Sequence, residues 1–117
     1  MRLGEVCILT RDVPRLAKWY RALLGVGGES DDPVHQFVLT KEPSLTILRD
    51  ESDEGERMGQ SMCLAFTVED MDAAYAHVRD MGAQIVTPPV KRPWGAVNMC
   101  LRDPDGNLVY LRQLPSS

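Results

Sequence analysis

A weak internal repeat is the feature that most constrains the fold of this chain. Residues 6–25 read VCILTRDVPRLAKWYRALLG, and residues 64–82 read LAFTVEDMDAAYAHVRDMG. Each segment contains a short apolar run, an aspartate, an amphipathic stretch and a final glycine, in that order. This order is typical of a β-strand followed by a capped α-helix. The sequence therefore predicts two similar modules, each built around one strand and one helix.

The ends of the two helices are marked by residues with capping chemistry. Asp12 and Asp70 can accept hydrogen bonds from the first helical turn. Pro14 fits near the helix start, where its missing N–H is harmless. Gly25 and Gly82 can adopt the left-handed conformation that ends a helix. We expect each helix to bury one apolar face.

Further strands are predicted after each helix. They lie around residues 36–40 and 45–49 in the first module, and around 84–86, 97–102 and 108–114 in the second. The sequence DPDGN at 103–107 predicts a tight turn between the last two strands. Each module then reads as βαβββ, with the weakest strand signal at the glycine-rich residues 26–28. The expected organisation is a single domain with module 1 at about 1–50, an acidic linker at about 50–61 and module 2 at about 62–117.

Size and charge restrict the function classes. The chain has 117 residues, enough for one domain with an ordinary core. Its 13 basic and 17 acidic residues give a net charge of −4, and the basic residues are scattered, which argues against a nucleic-acid partner. No apolar run is long enough for a membrane span or a signal sequence, so we expect no membrane partner and a cytoplasmic location. Three cysteines without a C-x-x-C pair favour reduced, mostly buried thiols.

The alternation of side chains along a strand separates the face under the helix from the opposite face. In the last strand we expect Val109 and Leu111 under the helix, with Tyr110 and Arg112 on the far face. By hairpin analogy we expect Ile47 and its neighbours at 45 and 49 on the far face of the first module. The other far-face residues are predicted to be Glu5, Cys7, Leu9, Cys63, Ala65, Thr67 and Leu108.

The duplicated plan, the helix ending in Trp19-Tyr20-x-x-Leu23-Leu24-Gly25 and the closing DPDGNLVYL resemble the vicinal oxygen chelate superfamily. This superfamily includes glyoxalase I, extradiol dioxygenases, fosfomycin-resistance enzymes and metal-free bleomycin-resistance proteins. The resemblance covers nearly the whole chain. It implies an α+β fold in which two βαβββ modules form a curled mixed sheet around a cavity. It also implies a two-fold homodimer.

The same resemblance implies where a metal would bind. Metal-dependent members place ligands on the first and last strands of each module, and these positions fall on Glu5, Ile47, Cys63 and Tyr110. Ile47 has no lone pair to donate, and a neutral tyrosine is a poor ligand for a divalent ion. His35 and His77 lie away from these positions. We therefore expect no metal site and no cofactor.

The candidate ligand-binding residues are Glu5, Ile47, Cys63, Tyr110, Trp94, Arg49 and Arg112. Glu5 is also the one candidate for a catalytic role, because a desolvated carboxylate can act as a general base. Tyr110 can hydrogen-bond a ligand or simply fill the cavity floor. Trp94 lies in a loop, where it can stack on a planar ligand or form a dimer contact. Arg49 and Arg112 can anchor an anion or be solvated.

Three functions are consistent with these residues. The first is a metal-free protein of the bleomycin-resistance type that binds a small organic ligand as a homodimer. The second is a lyase, isomerase or dioxygenase of the same superfamily, with an atypical metal site or with Glu5 as general base. The third is a dimeric accessory protein with a silent cavity. The fold by itself does not choose among them, because function depends on the site.

Overall fold

A computed structural model describes residues 2–50 and 64–115 of the chain. The chain divides into two compact units, residues 1–59 and 60–117. The predicted acidic linker, apart from Asp50, lies outside the described residues, as does Cys63.

The first unit consists of a three-stranded sheet and one helix. Its elements are β1 (Glu5–Thr10), α1 (Val13–Leu24), β2 (His35–Leu39) and β3 (Ser44–Arg49). The strand order is β1-β3-β2, with β1 parallel and β2 antiparallel to the central strand β3. The helix α1 packs against β2 and β3.

The second unit has a four-stranded sheet and one helix. Its elements are β4 (Leu64–Thr67), α2 (Met71–Asp80), β5 (Gln84–Lys91), β6 (Val97–Arg102) and β7 (Leu108–Gln113). The strand order is β4-β7-β6-β5. Strand β4 runs parallel to β7, and the other neighbours are antiparallel. The helix α2 packs against β5 and β7.

The predicted caps Asp12, Asp70 and Gly25 are confirmed, while α2 has Met81 as its C-cap and the predicted Gly82 follows it at φ 71°. The Asp12 carboxylate accepts the Arg15 N–H at 3.2 Å, and the Asp70 carboxylate accepts the Ala73 N–H at 3.2 Å. Gly25 ends α1 in the left-handed region, at φ 65° and ψ 30°. These bonds satisfy backbone groups that have no partner inside the helix.

The helices bury one face each, as their periodicity predicts. The buried residues of α1 are Val13, Leu16, Ala17, Tyr20 and Leu23, and those of α2 are Met71 and Val78. The Tyr20 side chain is fully buried and meets the half-buried Trp19 ring edge-on, with 4.8 Å between ring centroids. No helix among the described residues is long and apolar enough to cross a membrane.

The α+β class and the two helix-bearing modules are confirmed, but the first module is one strand short of βαβββ. Residues 26–34 form no strand between α1 and β2. Gly27 and Gly28 offer no side chain to pack there, and Pro33 cannot donate a ladder hydrogen bond. The strands of the described residues form two sheets, of three and four strands.

Strand β5 is longer than predicted, because it continues through two prolines to Lys91. Proline is excluded from central strands but tolerated at a sheet edge, where its missing N–H breaks no ladder. Strand β5 is the edge strand beyond β6, and its register shifts twice between Ile85 and Val90.

Candidate functional site

The face of the second sheet opposite α2 carries several of the predicted site residues. Val109 is fully buried and Leu111 nearly so on the side of α2. Tyr110 and Arg112 therefore lie on the other side, which confirms their predicted facing. We call this side the tyrosine face. Its residues, from the strand register, are Ala65, Thr67, Asn98, Cys100, Arg102, Leu108, Tyr110 and Arg112.

Tyr110 lies in the middle of the tyrosine face. Strand β7 has neighbours on both sides, and Tyr110 is paired with Ala65 on β4 and with Cys100 on β6. Ala65 is exposed and Tyr110 is half-buried. Cys100 is buried, as we expected for most of the cysteines. The phenol ring beside a small, exposed alanine offers a ligand a flat apolar surface.

We call the face of the first sheet opposite α1 the glutamate face. Its residues, from the strand register, include Glu5, Cys7, Leu9, Phe37 and Thr46. The register also corrects the predicted facing of β3. Ile47 pairs with Ile8 on β1 and with Gln36 on β2, and its side chain is fully buried. Because Gln36 accepts a hydrogen bond from Arg21 of α1, this side of the sheet is the helix side. The predicted far-face positions of Leu45, Ile47 and Arg49 are therefore wrong by one residue along β3.

Thr46 takes the position that was assigned to Ile47. In the second unit, Tyr110 pairs with Ala65, which comes two residues after Cys63. In the first unit, the residue that pairs with Cys7, two residues after Glu5, is Thr46. The Thr46 Oγ1 is buried and has no hydrogen-bond partner in the part of the chain that the structure describes. The alternation of large and polar side chains in Leu45-Thr46-Ile47 was the signal that could have identified it.

Glu5 lies on the glutamate face but is exposed to solvent. Among residues 2–50 and 64–115 its carboxylate has neither a hydrogen bond nor an ion pair. The general-base hypothesis required a desolvated carboxylate, and this burial is not observed. Cys7, on the same face, is also exposed, which differs from the expectation of mostly buried thiols.

Arg49 and Trp94 lie away from both far faces. Arg49 is the last residue of β3, is exposed, and pairs with Thr10 on the helix side. Trp94 is in the turn between β5 and β6, and its side chain is 67% exposed. Val97, the first residue of β6 after this turn, pairs with Gln113. The turn therefore lies at the same end of the second sheet as Arg112.

The residues at the expected metal-ligand positions do not fit a divalent ion. With Thr46 in place of Ile47, the described positions offer one carboxylate at Glu5, one neutral hydroxyl at Thr46 and one phenol at Tyr110. Divalent metals in protein sites prefer several carboxylate, imidazole or thiolate ligands. The described part of the chain contains no group of three His, Cys, Asp or Glu side chains that could hold a metal.

Two depressions beside α1 in the first unit have volumes of about 540 and 560 Å³. Arg21 lines both of them, but its guanidinium already donates to the Gln36 side chain at 2.7 Å and to the Phe37 carbonyl at 2.9 Å. None of the predicted site residues lines either depression. These depressions therefore add no chemistry to the candidate site.

Both the fold and the sequence identify the class of protein. Two modules, each with a capped helix packed on one face of a sheet that contains one parallel strand pair, define an α+β protein of duplicated design. The chain belongs to the glyoxalase/bleomycin resistance protein/dioxygenase superfamily, whose family model matches residues 2–111.

Solved structures share this fold. A glyoxalase/bleomycin resistance protein/dioxygenase family enzyme from Burkholderia phytofirmans PsJN is 20% identical, with a TM-score of 0.80 over 97% of this chain and 98% of that chain. TioX from Micromonospora sp. ML1 is 21% identical, with a TM-score of 0.71 over 93% and 95%. Lactoylglutathione lyase from Agrobacterium tumefaciens is 17% identical, with a TM-score of 0.69 over 93% and 90%. No curated protein sequence matches the chain significantly.

Proposed function

We propose that this protein binds a small organic molecule on the tyrosine face and does so without a metal ion, in the manner of bleomycin-resistance-type members of its superfamily. The observation that carries the proposal is the chemistry of the far-face positions. On the tyrosine face they provide a phenol, a hydroxyl, an amide, a thiol and two guanidinium groups, which suit ligand binding, where a metal site would need several anionic or imidazole ligands.

The tyrosine face supports the proposal because its groups differ in kind and lie side by side. Tyr110 supplies an aromatic surface, and the exposed Ala65 leaves room beside it. Asn98 and Thr67 flank Arg112 on the neighbouring strands. Ligand sites typically combine apolar surface with a few polar groups that fix orientation. The two-fold dimer and the cytoplasmic location expected from the sequence stay predictions.

A screen of small aromatic molecules against chelator-treated protein tests the proposal. A specific ligand in excess raises the melting temperature, because it binds the folded state. For a ligand found in this way, Tyr110→Ala is expected to weaken binding by about 1 to 3 kcal/mol through lost contact and hydrogen bonding. The matched control is Tyr75→Ala, since Tyr75 is a half-buried tyrosine on α2, on the opposite side of the sheet.

Three outcomes would contradict the proposal. Equal losses for Tyr110→Ala and Tyr75→Ala would mean that the ligand does not bind on the tyrosine face. Binding that disappears with the chelator would favour an enzyme with an atypical metal site. The absence of any ligand from a broad screen would favour an accessory protein with no binding site.

A further inference from the structure

Arg112 is held in place on the tyrosine face by one hydrogen bond. Its Nε donates to the Thr67 Oγ1 at 3.0 Å, across the parallel pair of β7 and β4. Within the described ranges its two terminal nitrogens make no hydrogen bond, and no carboxylate forms an ion pair with it. The result is an exposed guanidinium whose orientation is fixed at one nitrogen and whose other two nitrogens are available.

Among the described residues that β4, β6 and β7 place on the tyrosine face, none is acidic. The described face residues have hydroxyl, amide, thiol, apolar or guanidinium side chains, although the whole chain has a net charge of −4. The other cation of the face, Arg102, donates its Nη1 to the Gly106 carbonyl at 2.8 Å. The two cations lie at opposite ends of the tyrosine face, because Arg102 pairs with Leu108 and Arg112 with Asn98. Arg112 is the more exposed of the two and is therefore the cation that an anionic ligand beside Thr67 meets.

We infer that the ligand of the tyrosine face is a small organic monoanion whose carboxylate binds the terminal nitrogens of Arg112. Its apolar or aromatic body then lies along the face toward Tyr110 and Ala65. This inference rests on the proposed function and names the class of ligand. A planar guanidinium matches a carboxylate through two parallel hydrogen bonds. Arg112 is the one cation that β4, β6 and β7 place at this end of the face, so a singly charged carboxylate suits the site better than a doubly charged phosphate ester.

Three probes of similar shape distinguish the contribution of charge to the affinity from the contribution of apolar contact. Benzoate carries the carboxylate, benzamide is its uncharged counterpart, and phenyl phosphate carries the larger charge. Titration of each into isotopically labelled protein, followed by amide chemical shifts, gives an affinity and a location. Benzoate is expected to bind about tenfold or more tightly than benzamide, since hydrogen bonds between charged groups are the stronger ones. The shifts are expected at Ala65, Thr67, Tyr110 and Arg112.

Two variants test the two residues that form the anion site. Arg112→Gln is expected to weaken benzoate binding about tenfold or more and benzamide binding by much less, since benzamide loses only a hydrogen bond to a neutral acceptor. Thr67→Val keeps the shape of the side chain but removes the hydroxyl that positions Arg112. It is expected to weaken benzoate binding and to change the Arg112 Nε–H resonance in the ligand-free protein. Arg79→Gln, on the exposed side of α2, removes the same charge and is expected to leave benzoate affinity unaltered.

The outcomes distinguish this inference from the proposed function. Equal binding of benzoate and benzamide on the tyrosine face, or unchanged benzoate binding by Arg112→Gln, overturns the anion site but leaves ligand binding intact. Tighter binding of phenyl phosphate than benzoate overturns the choice of a carboxylate. Equal losses for Arg79→Gln and Arg112→Gln indicate an effect of net charge and also overturn the inference. Saturable binding of none of the three probes to the tyrosine face contradicts both proposals.

Discussion

Asp32 shows how a single exposed side chain organises a connection in this protein. Its Oδ1 accepts the backbone N–H groups of Val34 at 2.8 Å and His35 at 3.1 Å, just before β2. These two hydrogen bonds, with a smaller contribution from the nearby His35, hold the pKa of Asp32 below the ordinary value of 3.8. They favour the ionised form, because a carboxylate accepts hydrogen bonds better than a carboxylic acid does.

The sign of the resulting pH dependence follows from the lowered pKa. Stabilisation by Asp32 is fully present above the unfolded-state pKa and is lost as the pH falls through the lower folded-state pKa. We therefore expect Asp32→Asn to reduce the acid dependence of the free energy of unfolding below about pH 4. Asp31→Asn is the control, since Asp31 is the neighbouring exposed aspartate. Urea unfolding across this pH range checks the prediction, and identical pH profiles for the two variants would contradict it.

The residues of the candidate site were only partly predictable from sequence. The alternation of large and small side chains correctly placed Tyr110 and Arg112, because Val109 and Leu111 are apolar and buried. The same rule, applied to β3, would have selected Thr46, but the hairpin analogy shifted the assignment to Ile47. The exposure of Glu5 depends on which strands and loops cover the sheet face, and no local pattern contains that information.

At the scale of the elements, two glycines at and after the end of α1 test the backbone conformation separately from side-chain contacts. Gly25 and Gly27 both have open space where a Cβ would be added, but only Gly25 has a positive φ, of 65°. Gly25→Ala is therefore expected to destabilise the protein by about 1 kcal/mol. Gly27→Ala is expected to be neutral or slightly stabilising, since it only restricts the unfolded chain. Equal effects in thermal or chemical unfolding would contradict the helix-end geometry.

The corrected facing of β3 also makes an element-scale prediction. Ile47 is completely buried on the helix side, so Ile47→Ala is expected to lower the free energy of unfolding by about 2 to 4 kcal/mol. Leu9→Ala, on the opposite face and 44% exposed, is expected to cost less than about 1 kcal/mol. Chemical denaturation measures both. A larger loss for Leu9→Ala would mean that the two faces of the first sheet have been exchanged.

The elements that local chemistry determines were predicted well. Caps and turns depend on a few adjacent residues, and Asp12, Asp70 and the turn at 103–107 behave as expected. The strand missing from residues 26–34 and the extension of β5 to Lys91 depend on pairing across the sheet. The glycines at 26–28 had already marked the first of these strands as the weakest prediction, whereas alternation gave no sign that β5 continues through its two prolines.

At the scale of the whole molecule, the sequence predicts a two-fold homodimer. The tyrosine face exposes Ala65 and Thr67, and the glutamate face exposes Leu9 and Phe37 at 44% and 48%. Exposed apolar patches are uncommon on soluble monomers. Sedimentation at micromolar concentration is expected to give the mass of two chains, and the mass of one chain would contradict the prediction.

Family membership defines the architecture of this chain but not its chemistry. The superfamily places its metal ligands on strands that this protein retains, while the residues at those positions are Glu5, Thr46 and Tyr110 in the described part of the chain. The family therefore does not decide the function, which depends on the side chains of the far faces.

The most direct test of metal-independent binding is the dissociation constant of one ligand under two conditions. Benzoate, or a tighter ligand from the screen, is titrated into chelator-treated protein and into protein supplied with one equivalent of a divalent metal such as zinc or manganese. We predict that the two dissociation constants agree within about twofold and that the amide chemical shifts of Ala65 and Tyr110 change in both cases. Binding that occurs only with the metal, at one ion per chain, would contradict it.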